Sequence, residues 1–441
     1  MDVPDVRYAR AGGVAIAYQV VGEGPSTLVF SPHLCDLVTI WLNPLIRPFC
    51  DEIAGRTRLV VFNPRGTGLS DRPRNATLEA RMDDIAAVLD AVGSSRASLF
   101  GISTSANACA LFAATYPERV ERLILAVPFP RAIKDESYPW GFPEDQWLDW
   151  LRQVRDRWGD RDFLKEYARS VEPSAVEDPQ VAELFIWQHR LALSPGAAAD
   201  WVRMSMETDI VDVLGAIRVP TLVLYRPDDP DRGEGSARFV AGRIRDAQVV
   251  EVREQSGSPF SLESAGAILG FLEGEPRPDV PDSVLATVLF TDLVGSTSRA
   301  ATLGDRAWGE LLSRHHTDVR RELALHRGEE VDTAGDGFFC RFDGPARAIA
   351  CARRIVDGAR EHELDVRAGV HTGECELVGE KIAGIAVAAG ARIASLAAPG
   401  EVLVSRTVRD LVAGSGFVFT ERGEHELKGV PGSWSLYAAV E

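Results

Sequence analysis

The chain reads as an α/β protein built in two units, on three observations. Short apolar runs alternate with amphipathic helical patterns through the first half, a proline- and acid-rich stretch follows near residue 280, and the alternation then restarts. Strands alternating with helices predict a largely parallel sheet with helices on both faces. A length of 441 residues suits two or three domains of ~150 residues each.

In the first unit, residues 26–32 (STLVFSP), 57–64 (TRLVVFNP), 97–103 (ASLFGIS), 122–128 (RLILAVP) and 220–226 (PTLVLYR) read as buried strands, with 248–254 (QVVEVRE) as the last. Amphipathic helices are predicted over 78–93 and 106–120. Residues 131–215 interrupt the alternation. They are rich in tryptophan and charge, with helical spacing over 145–158, and predict a helical cap inserted between two strands of the sheet. Residues 273–283 (EGEPRPDVPDS) carry three prolines among acidic residues and read as a linker between domains at 1–272 and 284–441. In the second unit the pattern predicts a strand at 284–292 and a helix at 306–328. A hairpin around Gly335, a helix at 344–362, a strand at 365–377, a helix near 384–397 and a strand at 401–407 follow.

Hydrophobic residues make up 45% and charged residues 26%, so the chain can bury a sizeable core and disorder is excluded as its main state. The net charge of -17 argues against nucleic-acid binding and against a polybasic membrane surface, though not against a local site for a nucleotide. The six cysteines form no CxxC pair and read as free thiols of a reducing compartment. The N-terminal residues lack a signal-peptide pattern, and no apolar run approaches the ~20 residues of a membrane span. A cytoplasmic protein is expected.

Asp292 ends an apolar strand and precedes LVGST, which can open a helix whose N-terminus suits phosphate. Asp336 lies in the turn of the predicted hairpin, within TAGDGFF. Two aspartates on adjacent strand ends suit hard cations that bridge a triphosphate; by spacing alone turn forming is the commoner role of such residues. Four segments carry more information together: FTDLVGST, TAGDGFF, VRAGVHTGE and GIAVAAGARIASLA, in that order, with GEHELKGVPGSWSLY at the end. They resemble the class III adenylate/guanylate cyclase catalytic domain, whose ferredoxin-like α+β fold this implies over about residues 284–440. The resemblance implies a head-to-tail homodimer, Mg²⁺ or Mn²⁺ held by Asp292, Asp336 and the backbone carbonyl of Leu293, and Arg392 as the transition-state arginine contributed by the other protomer.

Three positions depart from the usual adenylate cyclase pattern. Asp332 stands where a lysine reads the base, Lys381 where an aspartate or threonine does, and Ala388 replaces the asparagine that orients the ribose. Guanine offers a donor at N1 and an acceptor at O6, the reverse of adenine, so an acid at 332 with a base at 381 favours GTP over ATP. Uracil shares guanine's order. An alternative assignment pairs Asp332 with Lys381 as an ion pair across the interface that binds no base.

In the first unit, Gly101-Ile102-Ser103-Thr104-Ser105 stands in place of G-x-S-x-G. The segment around it and FNPRGTGLSDRP (62–73) resemble the α/β-hydrolase fold over about residues 10–272, and bacterial fusions of such a domain to a class III cyclase share this order. The resemblance makes Ser103 the elbow serine and Asp229, with Asp228 beside it, the triad acid. Ser105 crowds the turn where the family has glycine. The base is missing: Gly257 stands about where the histidine belongs, and no histidine occurs between His189 and His315. His33 and His189 are the alternatives, and Cys109 reads as a core thiol. The reading is therefore a cyclase of purine nucleoside triphosphates with a hydrolase-like unit that senses a small apolar ligand. Trp140, Trp147, Trp150, Trp158, Trp187 and Trp201 either line that pocket or fill the cap core. A serine hydrolase whose second domain only dimerises and binds nucleotide, and a non-enzymatic receptor, stay open.

Overall fold

The computed structural model describes residues 3–440 except 33, 74–75, 172, 228, 230–232, 253–259, 275–282 and 379–380. The chain divides into two compact units, Met1–Pro281 and Asp282–Glu441.

The first unit is built on an eight-stranded sheet, β1 (Arg7–Ala11), β2 (Val14–Val21), β3 (Thr27–Ser31), β4 (Arg58–Phe62), β5 (Ala97–Ile102), β6 (Val120–Ala126), β7 (Thr221–Tyr225) and β8 (Gln248–Glu251), in the order β1-β2-β4-β3-β5-β6-β7-β8. The pairs β1–β2 and β2–β4 are antiparallel and every later pair is parallel. Parallel strands covered on both faces must be apolar throughout, and β5 is buried at all six positions. The covering helices are α1 (Thr39–Leu42), α2 (Arg47–Ala54), α3 (Leu78–Ala91), α4 (Ser105–Thr115), and, after the cap, α9 (Glu234–Ala241) and α10 (Leu262–Glu273). Phe30 stacks on Phe100 with ring centroids 4.7 Å apart at the centre of one face. Arg65 and Asp84 form a bidentate pair at 2.7 and 2.9 Å beneath α3, with no exposed atom of the Asp84 side chain.

The cap is four helices between β6 and β7: α5 (Glu144–Arg157), α6 (Arg161–Val171), α7 (Pro179–Ala192) and α8 (Pro195–Glu207). Asp178 and Ser194 cap α7 and α8, accepting from the N–H groups of Gln180 and Ala197, and a proline follows each at the first helical position. The cap has its own core, in which Trp147, Val154, Phe163 and Ile186 are buried.

The second unit is a mixed sheet with strands β9 (Ser283–Leu293), β10 (Glu329–Ala334), β11 (Gly337–Phe342), β12 (Val366–Val378), β13 (Lys381–Ala383), β14 (Val402–Ser405), β15 (Phe419–Glu426) and β16 (Ser433–Ala439). Its order is β10-β11-β9-β12-β14-β16-β15, with β13 pairing β12. Helices α11 (Ser296–Leu303), α12 (Asp305–Leu325), α13 (Pro345–Glu361), α14 (Ile385–Leu396) and α15 (Arg406–Leu411) complete it. Gly335, at φ +66°, closes the β10–β11 hairpin in a conformation that glycine adopts without cost. Close packing of α14 on the sheet also needs glycine: a Cβ on Gly369 would lie 2.2 Å from the Ala394 nitrogen.

Candidate functional site

In the second unit, the central strand β9 delivers Asp292 and the hairpin turn beside it delivers Asp336. Phe338 pairs with Thr291 in the β11–β9 register, and a Cβ on Gly337 would come within 4.0 Å of Asp292 Oδ1. The two carboxylates therefore share one end of the sheet. Asp336 Oδ2 is buried with no hydrogen-bond partner among the described residues. A buried carboxylate oxygen without a donor is costly unless a cation meets it, so hard divalent ions fit this pair. Leu293, the next residue, is buried and anchors the backbone there. No group of three or more histidine, cysteine or acidic side chains that would hold a metal gathers among the described residues.

Three neighbours of this pair escape sequence reasoning. Arg367, opposite Asp292 in the β12–β9 register, donates from Nε to Asp292 Oδ2 at 3.0 Å and again from Nη2. Its signal was the arginine of VRAGVHTGE, facing the aspartate across an antiparallel pair. His315 and His316 of α12 lie under the hairpin, and His316 bonds to the backbone of Gly335. Burial holds His315 down at about 4.

Lys381 Nζ lies 3.5 Å from Asp332 Oδ2, with both side chains about two-thirds exposed. The ion pair foreseen between chains forms within one chain. A bulge between Glu330 and Asp332 shifts the β10 register, and β13 folds back on β12 to present Lys381. Exposed pairs of this kind contribute about 0–1 kcal/mol, so a ligand displaces them readily. Arg392 is on the exposed face of α14, its Nε donating to the backbone oxygen of Lys428 at 3.1 Å. Ala388, one turn earlier on that face, is exposed and offers no side-chain hydrogen bond. Lys428, which the sequence reading passed over, is thereby brought beside Arg392. Among the described residues no hydrogen bond or ion pair joins Arg392, Asp332 or Lys381 to Asp292 or Asp336.

In the first unit, Ser103 sits at the strand-to-helix turn between β5 and α4 with φ +52°, the strained conformation of an elbow serine. Ser105 opens α4, and its side chain is put to use in this turn. Its Oγ accepts from Ile102 N–H at 3.0 Å and lies 2.8 Å from the Ser31 carbonyl. Asp229 follows β7, buried, and lines one cavity of about 120 Å³ together with Ser103 and His189. Burial holds His189 down at about 4, and Nδ1 meets the Phe185 carbonyl at 2.9 Å. No hydrogen bond joins Ser103 to His189 or to Asp229 among the described residues. Asp228, His33 and Gly257 lie outside the described residues. Cys109 is buried in the core, and burial pushes its thiol up to about 12.

Of the six cap tryptophans, four take the expected roles, and Trp140 and Trp187 take neither. Trp147, Trp150 and Trp201 line a second cavity of about 230 Å³ that also reaches Ser103. Trp158 is buried in the cap core and bonds to the Leu193 carbonyl, Trp140 packs on Phe239, and Trp187 is 60% exposed. No helix among the described residues is long and apolar enough to cross a membrane.

Residues 281–439 match the family model of the adenylate and guanylate cyclase catalytic domain, and residues 34–185 match that of the alpha/beta hydrolase fold. The bifunctional esterase/perhydrolase DCH of Acinetobacter calcoaceticus is 30% identical over 225 residues, covering 49% of this chain and 79% of that protein. Putative adenylate cyclase 3 of Rhizobium meliloti is 28% identical over 156 residues, covering 33% of this chain and 26% of that protein. Among solved structures, the bromoperoxidase from Bacillus anthracis aligns at a TM-score of 0.52 with 20% identity, covering 61% of this chain and 100% of that one, a likeness of fold. The chain spans 17% of the length of one curated relative and 99% of another. Its first unit belongs to the α/β-hydrolase fold family, and its second is a class III adenylate/guanylate cyclase catalytic domain.

Proposed function

We propose that the chain is a homodimeric nucleotidyl cyclase that converts a purine nucleoside triphosphate, GTP in preference to ATP, to the 3′,5′-cyclic nucleotide and pyrophosphate. In this reading the ribose 3′-hydroxyl attacks the α-phosphorus and pyrophosphate leaves. Asp292, Asp336 and the Leu293 carbonyl hold Mg²⁺ or Mn²⁺, which when bound lower the pKa of the attacking hydroxyl and offset charge on the leaving group. Arg367 balances the charge of Asp292 without cations and turns to the triphosphate when they bind. Arg392 of the other protomer meets the charge developing on the α-phosphate, with Lys428 beside it. Asp332 and Lys381 exchange each other for guanine, the acid accepting from N1–H and the ammonium donating to O6. Ala388 leaves the ribose without a side-chain tether, which predicts a slow enzyme, since misplacing a reacting group costs ~10²-fold.

The observation that carries this reading is the orphaned Asp336 oxygen beside Asp292, in a chain whose arginine and base-reading pair stand apart from it. Exposed Val378 and Ile385, at 59% and 62%, supply apolar surface for the second copy near Lys381. The first unit, with an elbow serine and no histidine after its last strand, serves as a ligand-sensing module for the cyclase. Purified chain with Mn²⁺ and equimolar ATP, GTP and UTP tests the base preference. Cyclic GMP is expected to dominate, and the double exchange Asp332→Lys with Lys381→Asp to move the ratio toward cyclic AMP by about 10-fold, the worth of one charge-assisted hydrogen bond. A clear preference of the unaltered chain for ATP contradicts it.

A further inference from the structure

The two cavities of the first unit adjoin. Both are lined by Ser103, Tyr167 and Val171, so they meet above the elbow. Their walls differ in chemistry. The chamber of about 230 Å³ is bounded by Phe129, Phe142, Trp147, Trp150 and Trp201, and a dry apolar cavity of ~150 Å³ already holds a benzene ring. This chamber takes a body the size of a bicyclic ring. The chamber of about 120 Å³ is polar on one side, where His189, Arg226, Asp229 and Ser103 stand.

His189 sets the character of that polar end. A carbonyl oxygen only accepts, so the 2.9 Å contact with Phe185 O fixes the proton on Nδ1 and leaves Nε2 as an acceptor. The ring is held there by stacking on Phe185 at 4.0 Å and by edge contacts with Tyr167 and Trp158. Burial keeps it neutral, at about 4. Arg226 and Asp229 bring opposite charges to the same wall, so the chamber favours neither an anionic nor a cationic head.

We propose that the joined cavities are one site for a small neutral amphiphile, its apolar body under the cap tryptophans and a hydroxyl- or amide-type donor on His189 Nε2, and that the chain binds this ligand without cleaving it. This rests on the sensing reading of the first unit and names the ligand class. Ser103 has no base within hydrogen-bond reach among the described residues, and the sequence has no histidine between His189 and His315.

The test uses the full chain and three probes: 2-(2-naphthyl)ethanol, 2-ethylnaphthalene and the acetate ester of the alcohol, with tryptophan fluorescence and calorimetry as readouts. The alcohol is expected to bind at least 10-fold more tightly than the hydrocarbon. His189→Phe, which keeps the stacking ring, is expected to erase that difference while the hydrocarbon still binds. Gln146→Trp, an exposed position at the apolar chamber, is expected to weaken both by 10-fold or more without touching the core. Equal affinities in the unaltered chain, a preference that survives His189→Phe, no binding of either probe, or ester cleavage that Ser103→Ala abolishes each overturn the proposal. Binding that leaves cyclic nucleotide formation unchanged supports the site and defeats the sensing role, so the two readings fail separately.

Discussion

The two units place their chemistry-bearing groups in opposite ways. In the first, Ser103, Asp229 and His189 come from a strand end, a loop and a cap helix and converge on one pocket within a single chain. In the second, Asp332 and Lys381 are mostly exposed and satisfied by each other, and Arg392 leans on a backbone carbonyl. A pocket lined from three elements is complete once the chain folds, whereas exposed, self-paired groups are free to exchange their partners for a ligand or a second chain. The first unit carries an elbow serine with no base hydrogen-bonded to it among the described residues, which suits the proposed ligand-holding role. In the proposed reading the second carries parts of a phosphoryl-transfer site that a second copy completes.

The sharpest way to test that separation energetically is to break something buried in one unit only. Asp84→Ala leaves Arg65 uncompensated beneath α3, and removing one partner of a buried pair costs roughly 3–5 kcal/mol. Calorimetry is expected to show the unfolding transition of the first unit falling by about 10 °C while that of the second stays in place. A shift of both transitions together would mean that the units do not fold independently.

A smaller effect comes from pH. The first unit buries one neutral histidine, His189, and the second buries two, His315 and His371, all held by burial at about 4. The unfolded chain binds these protons near 6.5, so between those values the unfolded state carries more of them. The stability present above pH 6.5 is lost as pH falls toward 4, and both transitions are expected to drop. His371→Phe, at a site packed against Trp434 and bonded to Ser405, is expected to remove about half of this dependence in the second unit, His315 keeping the rest, and to leave the first unchanged. An unchanged slope in the second unit would assign its acid lability to other groups.

Much of the fold was legible because the strands are apolar runs with clear punctuation. The predicted strands at 97–103 and 220–226 appear as β5 and β7, and the hairpin around Gly335 as β10 and β11. Asp292, Asp336 and Ser103 were legible because each sits in a local motif. What sequence could not supply is what one strand places opposite another. Arg367 acquires its meaning only from the register that sets it against Asp292, and Lys428 only from its carbonyl beneath Arg392. The Asp332–Lys381 pair was foreseen, but its formation within one chain depends on a bulge and a short returning strand that no periodicity announces. His189 shows the same limit: a helical histidine in the cap becomes part of the pocket only when α7 folds over Ser103.

In the proposed cyclase two chains assemble each active site, and complementation between variants decides whether they do. Asp292→Ala and Arg392→Ala are each expected to reduce Mn²⁺-dependent cyclic nucleotide formation to background. Mixed in equal amounts and allowed to exchange, half of the dimers pair one of each and carry one intact site. Activity is then expected to return to roughly a quarter of the unaltered level. If the mixture stays at background while mixed dimers are present, the carboxylates and the arginine do not meet across a dimer, and the account of the second unit is wrong.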